Sequence, residues 1–128
     1  MPRTPQLLYV VLHHQNVEDP HFDLLIERSH KGRVPTWRLP DWPIKGRTCA
    51  LRLGDHRRMY LNYEGPVSGK RGTVRSVERG VHRTRRTRAH WRVQFVRHSS
   101  IMGLELKQIR GREWEVTPID YAERFKTT

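Results

Sequence analysis

Two histidines and an aspartate with metal-binding chemistry lie close together near the start of the chain. They are His14, His21 and Asp23, with His13 competing for the first place. Imidazole nitrogens and one carboxylate suit Mn²⁺, Zn²⁺ or Fe²⁺, and three protein ligands would leave positions open for a substrate. On an extended strand alternate side chains share a face, so His21, Asp23, Leu25 and Glu27 point one way and Phe22, Leu24 and Ile26 the other. The competing explanation is ordinary surface hydrogen bonding by a histidine at a strand end and a His-x-Asp pair.

A second constellation is Asp55-His56-Arg57-Arg58-Met59-Tyr60. A histidine close to a tyrosine, with arginines between, can hold a phosphate and donate a proton to its leaving oxygen. Imidazole suits that task near neutral pH, and Arg57 offers a planar fork to phosphate. A basic turn beside a core tyrosine is the plainer account. The stretch Tyr63 to Gly72 brings Glu64, Lys70 and Arg71 into a glycine-rich segment where backbone N–H groups could approach an anion. It lacks the Gly-Lys-Ser/Thr ending of a Walker loop, and a tight corner is the simpler role. Arg83, Arg85, Arg86 and Arg88, between His82 and His90, would contact phosphates without reading sequence. No Gly-x-Ser-x-Gly elbow occurs.

The elements that must position these groups are short and extended. Leu7 to Leu12 reads as a buried strand, and His21 to Arg28 as its hairpin partner across Gln15 to Pro20. Val34 to Leu39 is a third strand, with Trp37 and Leu39 on one face. Thr48 to Leu53 alternates Cys49, Leu51 and Leu53 against Thr48, Ala50 and Arg52, which places Cys49 in the core rather than in catalysis. Met59 to Tyr63 is expected to be extended, and Thr73 to Glu78 to be a strand ending at Gly80. His82 to His90, without apolar periodicity, is expected to be an exposed loop. Trp91, Val93 and Phe95 point inward from a further strand, and Leu104 to Leu106 and Trp114 to Val116 begin the last two. With no long helical stripe, the fold expected is all-β: a small antiparallel β-barrel with long loops, whose opening hairpin presents its polar face to a central cleft. The expected division is a leader at 1–6, one domain at 7–120, and a tail at 121–128 that is a short helical turn or frayed.

Charge points to the partner. Lysine and arginine number 25 against 13 acids, a formal net charge of +12 with a pI near 11.0. Such an excess attracts polyanions, nucleic acid first, and anionic lipid as the rival. One cysteine excludes a disulfide framework and a cysteine zinc site. No run has the length of a signal peptide or a membrane span, so a soluble, intracellular, cytoplasmic protein is expected.

Taken in order, Tyr9-Val10-Val11-Leu12-His13-His14, His21-Phe22-Asp23-Leu24-Leu25-Ile26-Glu27, Thr36-Trp37-Arg38-Leu39-Pro40, Asp55 to Gly65 and Gly69-Lys70-Arg71-Gly72-Thr73-Val74 resemble the 3′-phosphoesterase domain of bacterial DNA ligase D and its free-standing relatives. The resemblance covers roughly residues 7 to 80, with weaker strand matches to about 118. It implies a small β-barrel, a divalent metal (usually manganese, with zinc possible) and removal of a 3′-phosphate or 3′-ribonucleotide from a DNA or RNA–DNA end. It also implies His14, His21 and Asp23 as metal ligands, His56 and Tyr60 as phosphate-proximal groups, and Glu27 and Glu64 as recurring acids. The chain departs from the family pattern twice. The turn before His21 is one residue longer, which keeps His13 open as a ligand. Leu25 stands where the family carries a phosphate-holding arginine, leaving Arg38, Arg52 or Arg57 to supply that charge. The alternative is a non-catalytic accessory that binds nucleic-acid ends, and a basic structural protein without metal is a third class. A monomer working with a separate ligase or polymerase is the expected setting.

Overall fold

The computed structural model describes residues 6–96 and 101–119; the expected tail and all of the expected leader except Gln6 lie outside them. Nine strands form one antiparallel sheet: β1 (Leu7–Gln15), β2 (His21–Ile26), β3 (Thr36–Leu39), β4 (Thr48–Arg52), β5 (Gly65–Pro66), β6 (Thr73–Arg86), β7 (His90–Phe95), β8 (Gly103–Arg110) and β9 (Glu113–Ile119). The spatial order is β1-β2-β3-β4-β9-β8-β7-β6-β5, and β6 also pairs with β1, so the hydrogen bonds run round a barrel-like ring. The all-β expectation therefore holds. Among the described residues no helix is long and apolar enough to cross a membrane.

The ring is filled by Tyr9, Val11, Leu24, Ile26, Trp37, Leu39, Trp91, Val93, Phe95, Leu104, Leu106, Trp114 and Val116. Trp37 meets Trp91 and Trp114 edge-on, with centroids 4.9 and 5.5 Å away. Alternation along β2, β3, β7, β8 and β9 delivers these side chains to one face. β1 and β2 are buried on both faces, over Tyr9 to Leu12 and over Asp23 to Ile26. Val10 and Leu12 turn outward and, with Leu25, Val34, Leu61 and Val74, form a second apolar cluster on the other side of the sheet. This corrects the expected central cleft. The interior of the ring is packed with apolar side chains, and the polar face of the opening hairpin looks outward, beneath the segment running from Asp55 to Val74.

That covering segment contains a 3-10 turn, Arg58–Leu61, where an extended stretch was expected. It has no strand to pair with, so Tyr60 and Asn62 donate their N–H groups to the nearby carbonyls of Arg57 and Met59, and Leu61 is its one buried side chain. Both ends are clamped. Arg58 pairs with the buried carboxylate of Glu27 and also donates to the carbonyls of Ser29 (3.0 Å) and Gly32 (3.1 Å). Arg79 of β6 donates to the Leu61 carbonyl and to Asn62 Oδ1 (2.8 Å). Arg79 can do so because β6 carries a bulge. Val11 pairs with Glu78 and Leu12 with Ser76, leaving Val77 as the extra residue. Beyond the bulge Glu78 faces the interior, accepting hydrogen bonds from Tyr9 Oη (2.7 Å) and Trp42 Nε1 (3.2 Å), while Arg79 faces outward.

Two further expectations change. Arg83, Arg85 and Arg86 lie in β6, which runs unbroken through Gly80 and pairs with β7 from His82 to Arg86, so only Thr87 to Ala89 form a turn. Backbone pairing on both sides makes a strand there without apolar periodicity. In β4 the facing is inverted: Ala50 is buried opposite Trp114, while Cys49 and Leu51 are exposed. A small side chain fits against the indoles where a cysteine or leucine would crowd them.

Glu27 is 4% exposed and also accepts the Leu8 N–H at 2.7 Å. Glu27→Ala is expected to cost about 2–3 kcal/mol, because it strands a backbone donor and a partly buried guanidinium. Arg58→Ala, which leaves the buried Glu27 carboxylate without its cation, is expected to cost more, about 3–5 kcal/mol. Urea unfolding of the two variants measures the difference.

Candidate metal centre

Register brings the three candidate ligands together. In the β1–β2 pair His14 lies opposite His21 and Leu12 opposite Asp23, and in the β2–β3 pair Asp23 lies opposite Arg38. Cross-strand partners share a face, so His14, His21, Asp23 and Arg38 stand on the outer side of the sheet with Leu12 and Leu25. One ligand atom from each of His14, His21 and Asp23 can be chosen so that all lie within 4.8 Å of one another. His13 points to the opposite face, where it stacks on Phe22 at 4.3 Å and its Nδ1 meets Gln15 Nε2.

The imidazole orientations can be read from their partners, because a carbonyl oxygen only accepts. His21 Nδ1 donates to the Asp19 carbonyl at 2.9 Å, and His14 Nε2 donates to the Arg71 carbonyl. In the neutral form each ring has then used its single N–H, yet His14 Nδ1 and His21 Nε2 face each other at 3.1 Å. Two lone pairs at that distance repel unless one ring takes up a second proton or a cation sits beside both nitrogens. Ligands at right angles on an ion with bonds of about 2.1–2.2 Å stand roughly 3.0–3.1 Å apart, and tetrahedral ligands about 3.4 Å. The donor set and the spacing of the two imidazoles fit a divalent ion, with Asp23 Oδ1 standing 3.8 Å from His21 Nε2, and the carbonyl anchors fix the rings as outer partners of metal-bound histidines do. Burial, the largest influence, pushes the His21 imidazole below its ordinary value; the Asp19 carbonyl and the Asp23 carboxylate only partly oppose it.

Asp23, 3% exposed, is the hub of the site. Its Oδ1 lies 3.8 Å from His21 Nε2 and 3.3 Å from Arg38 Nε, and its Oδ2 lies 3.7 Å from His56 Nε2. Burial alone would raise its carboxyl, but the His56 ring, the Arg38 guanidinium and His21 outweigh that and hold it below the usual carboxylate range. His56 is set by a pair of backbone bonds with Val34, both 2.8 Å, and its Nδ1 donates to the Gly54 carbonyl at 3.2 Å. Its Nε2 is thereby turned toward Asp23. Tyr60 lies edge-on to His56, with centroids 5.9 Å apart.

These groups open onto a groove of about 340 Å³. Leu12, His14 and Asp23 form its floor, His56, Arg57 and Tyr60 one wall, and Val67, Ser68 and Arg71 the other; Arg33 and Arg38 complete the cationic lining. Gly72 keeps the second wall close. Its φ is +79°, and a Cβ there would come within 2.3 Å of the Gln15 carbonyl.

Several expected residues stand elsewhere. Glu27 serves Arg58 and Leu8, and Glu64 accepts the Ser76 N–H at 2.9 Å. Arg52 lies over the Trp37 ring and pairs with Asp55 at 2.9 Å. Lys70 is exposed outside the groove lining, and Arg83, Arg85, Arg86 and Arg88 lie at the far part of β6 and its turn. Leu25 is fully buried in the outer apolar cluster, opposite Thr36 and Val10. Arg38, one strand over, is the cation beside Asp23. Arg33 escaped the sequence reading because nothing in a polar turn shows that the next residue, Val34, bridges to His56.

Acid should destabilise the metal-free protein through its buried imidazoles. His82, 3% exposed, is lowered by burial first, as is His21. Above about pH 6.5 both are neutral folded or unfolded and no stability is lost. Below it the unfolded chain takes up protons that the folded chain refuses, so stability falls as pH falls. Thermal melting between pH 7.5 and 5 should show a declining Tm, and a flat profile would contradict the assignment. No family model and no curated protein matches this chain.

Proposed function

We propose that this chain is a divalent-metal-dependent phosphoesterase that removes a 3′-phosphate or 3′-ribonucleotide from DNA or RNA–DNA ends and leaves a 3′-hydroxyl. The observation that carries the reading is the opposed imidazole pair at 3.1 Å beside a buried carboxylate, set in a groove lined by arginines and a histidine. His14, His21 and Asp23 would hold the ion, manganese as the resemblance implies, with zinc, which imidazole ligands also suit, as the alternative. Once bound, the ion would supply Lewis-acid polarisation of the phosphoryl oxygens and a water of lowered pKa.

The chain's own residues account for the other steps. Arg38, Arg57, Arg71 and Arg33 neutralise the phosphoryl oxygens and orient the group over the floor. His56, held by Val34 and Gly54, presents Nε2 as the acid that protonates the departing 3′ oxygen. Tyr60 packs against that ring and limits its rotation. Water adds to phosphorus and the phosphorus–oxygen bond to the 3′ carbon's oxygen breaks, giving a 3′-hydroxyl with inorganic phosphate from a 3′-phosphate end or a ribonucleoside 5′-phosphate from a 3′-ribonucleotide end. A separate ligase or polymerase would consume that hydroxyl.

A second reading, a non-catalytic accessory that binds nucleic-acid ends, draws on Leu25, which fills with apolar volume the place of a family arginine. The two readings separate on one substrate. A 3′-phosphorylated primer with Mn²⁺ should release phosphate, and His56→Ala should reduce turnover by about 10²–10⁴-fold. Release that is absent under any divalent metal, with the end still bound, favours the accessory. Calorimetric titration should show one equivalent of Mn²⁺, lost in Asp23→Ala.

A further inference from the structure

The ring has a second cationic feature that the groove chemistry does not use. Where the β6–β7 and β8–β9 turns meet the ends of β2 and β4 lies a depression of about 580 Å³. Arg28, Arg52, Arg86 and Arg88 line it together with Trp91 and Trp114. Arg86 lies over the Trp91 ring at 5.3 Å. Among the described residues no acid pairs with Arg86 or Arg88, and Trp114, 4% exposed, has no acceptor for its Nε1–H. Four guanidiniums and an indole donor around one concavity, with one carboxylate nearby, form a site for a polyvalent anion.

That nearby carboxylate is Asp55, and it joins the depression to the groove. It lines the groove, while its Oδ1 holds Arg52 at 2.9 Å and its Oδ2 holds Arg28 at 3.0 Å. The two concavities therefore lie back to back across one side chain. An anion that occupied both would be extended and repetitively charged, which favours a strand of nucleic acid over a single phosphate.

We propose that this depression grips a backbone phosphate of the same nucleic-acid strand whose 3′ end lies in the groove. The inference rests on the groove being an end-processing site. It assigns Arg86 and Arg88 to holding the strand upstream of its terminus, by charge and without sequence readout. Arg28 and Arg52 contribute field while remaining tied to Asp55. A substrate too short to span both concavities gains nothing from the depression.

The test compares the intact protein with R86A/R88A and with the charge-keeping R86K/R88K. Fluorescence anisotropy of a 20-nucleotide 3′-phosphorylated DNA strand across a salt series should show the logarithmic salt slope falling by about 0.7, the value for one phosphate on a single strand, in the alanine variant and recovering in the lysine variant. Mn²⁺ binding and phosphate release from a 3′-phosphorylated dinucleotide should be unchanged in both variants. An unaltered slope in R86A/R88A overturns the proposal. So does an alanine variant that keeps its DNA affinity but loses binding to phosphatidylserine vesicles, which would assign the depression to a membrane. Failure of the groove reading registers separately, as the absence of Mn²⁺ binding and phosphate release in the intact protein.

Discussion

Val10, Leu12 and Leu25 are apolar side chains on the outward side of a strand pair whose inward side already packs the ring with Tyr9, Val11 and Leu24. Left open to water, that outer patch would oppose folding, so a second layer must close over it. The 3-10 turn and the glycine-rich segment after it are that layer, and Leu61, with Tyr60, Tyr63 and Val67, contributes its apolar share. Covering the outer patch carries His56, Arg57 and Tyr60 to one edge of His14 and Asp23, and Arg71 to the other. The groove is the gap left where this second layer meets polar rather than apolar side chains.

Electrostatics then decide what that gap can hold. A buried carboxylate is costly without partners, and Asp23 gathers Arg38, His56 and His21 around itself. Those same three partners are the groups that a phosphoryl group and its counter-ion would meet. The backbone carbonyls of Asp19 and Arg71 complete the arrangement by consuming one N–H from each imidazole. Order in the site thus derives from main-chain atoms of two loops, which hold position better than long side chains.

Much of this was legible in the residues. Alternation along His21 to Ile26 places His21, Asp23 and Leu25 on one face, and the run Leu7 to Leu12 announces a strand, buried from Tyr9 to Leu12 but with Leu8 exposed. Which of His13 and His14 shares the face of Asp23 depends on cross-strand register, which no single strand contains; the pairing of His14 with His21 decides it. Cys49 was assigned inward because alternation has two phases, and only the indoles opposite show that Ala50 is the residue that fits. Arg83 to Arg86 lacked periodicity because their strand is fixed by backbone pairing, which side-chain patterns do not report. Leu25 read as an apolar intruder on a polar face, whereas it is the floor of a second core.

The bulge at Val77 gives β6 two reading frames. On one side of it Val74 and Ser76 face outward, Val74 lining the groove; on the other, parity switches, so that Glu78 enters the ring while Arg79 reaches out to hold the end of the 3-10 turn. One inserted residue thereby lets a single strand serve as interior wall and exterior clamp along its length. A chain shortened by that residue would keep its charge and nearly all of its composition. It would exchange inside for outside over everything downstream, so length at this point is under tighter constraint than identity, and Val77 itself, largely exposed, is free to vary.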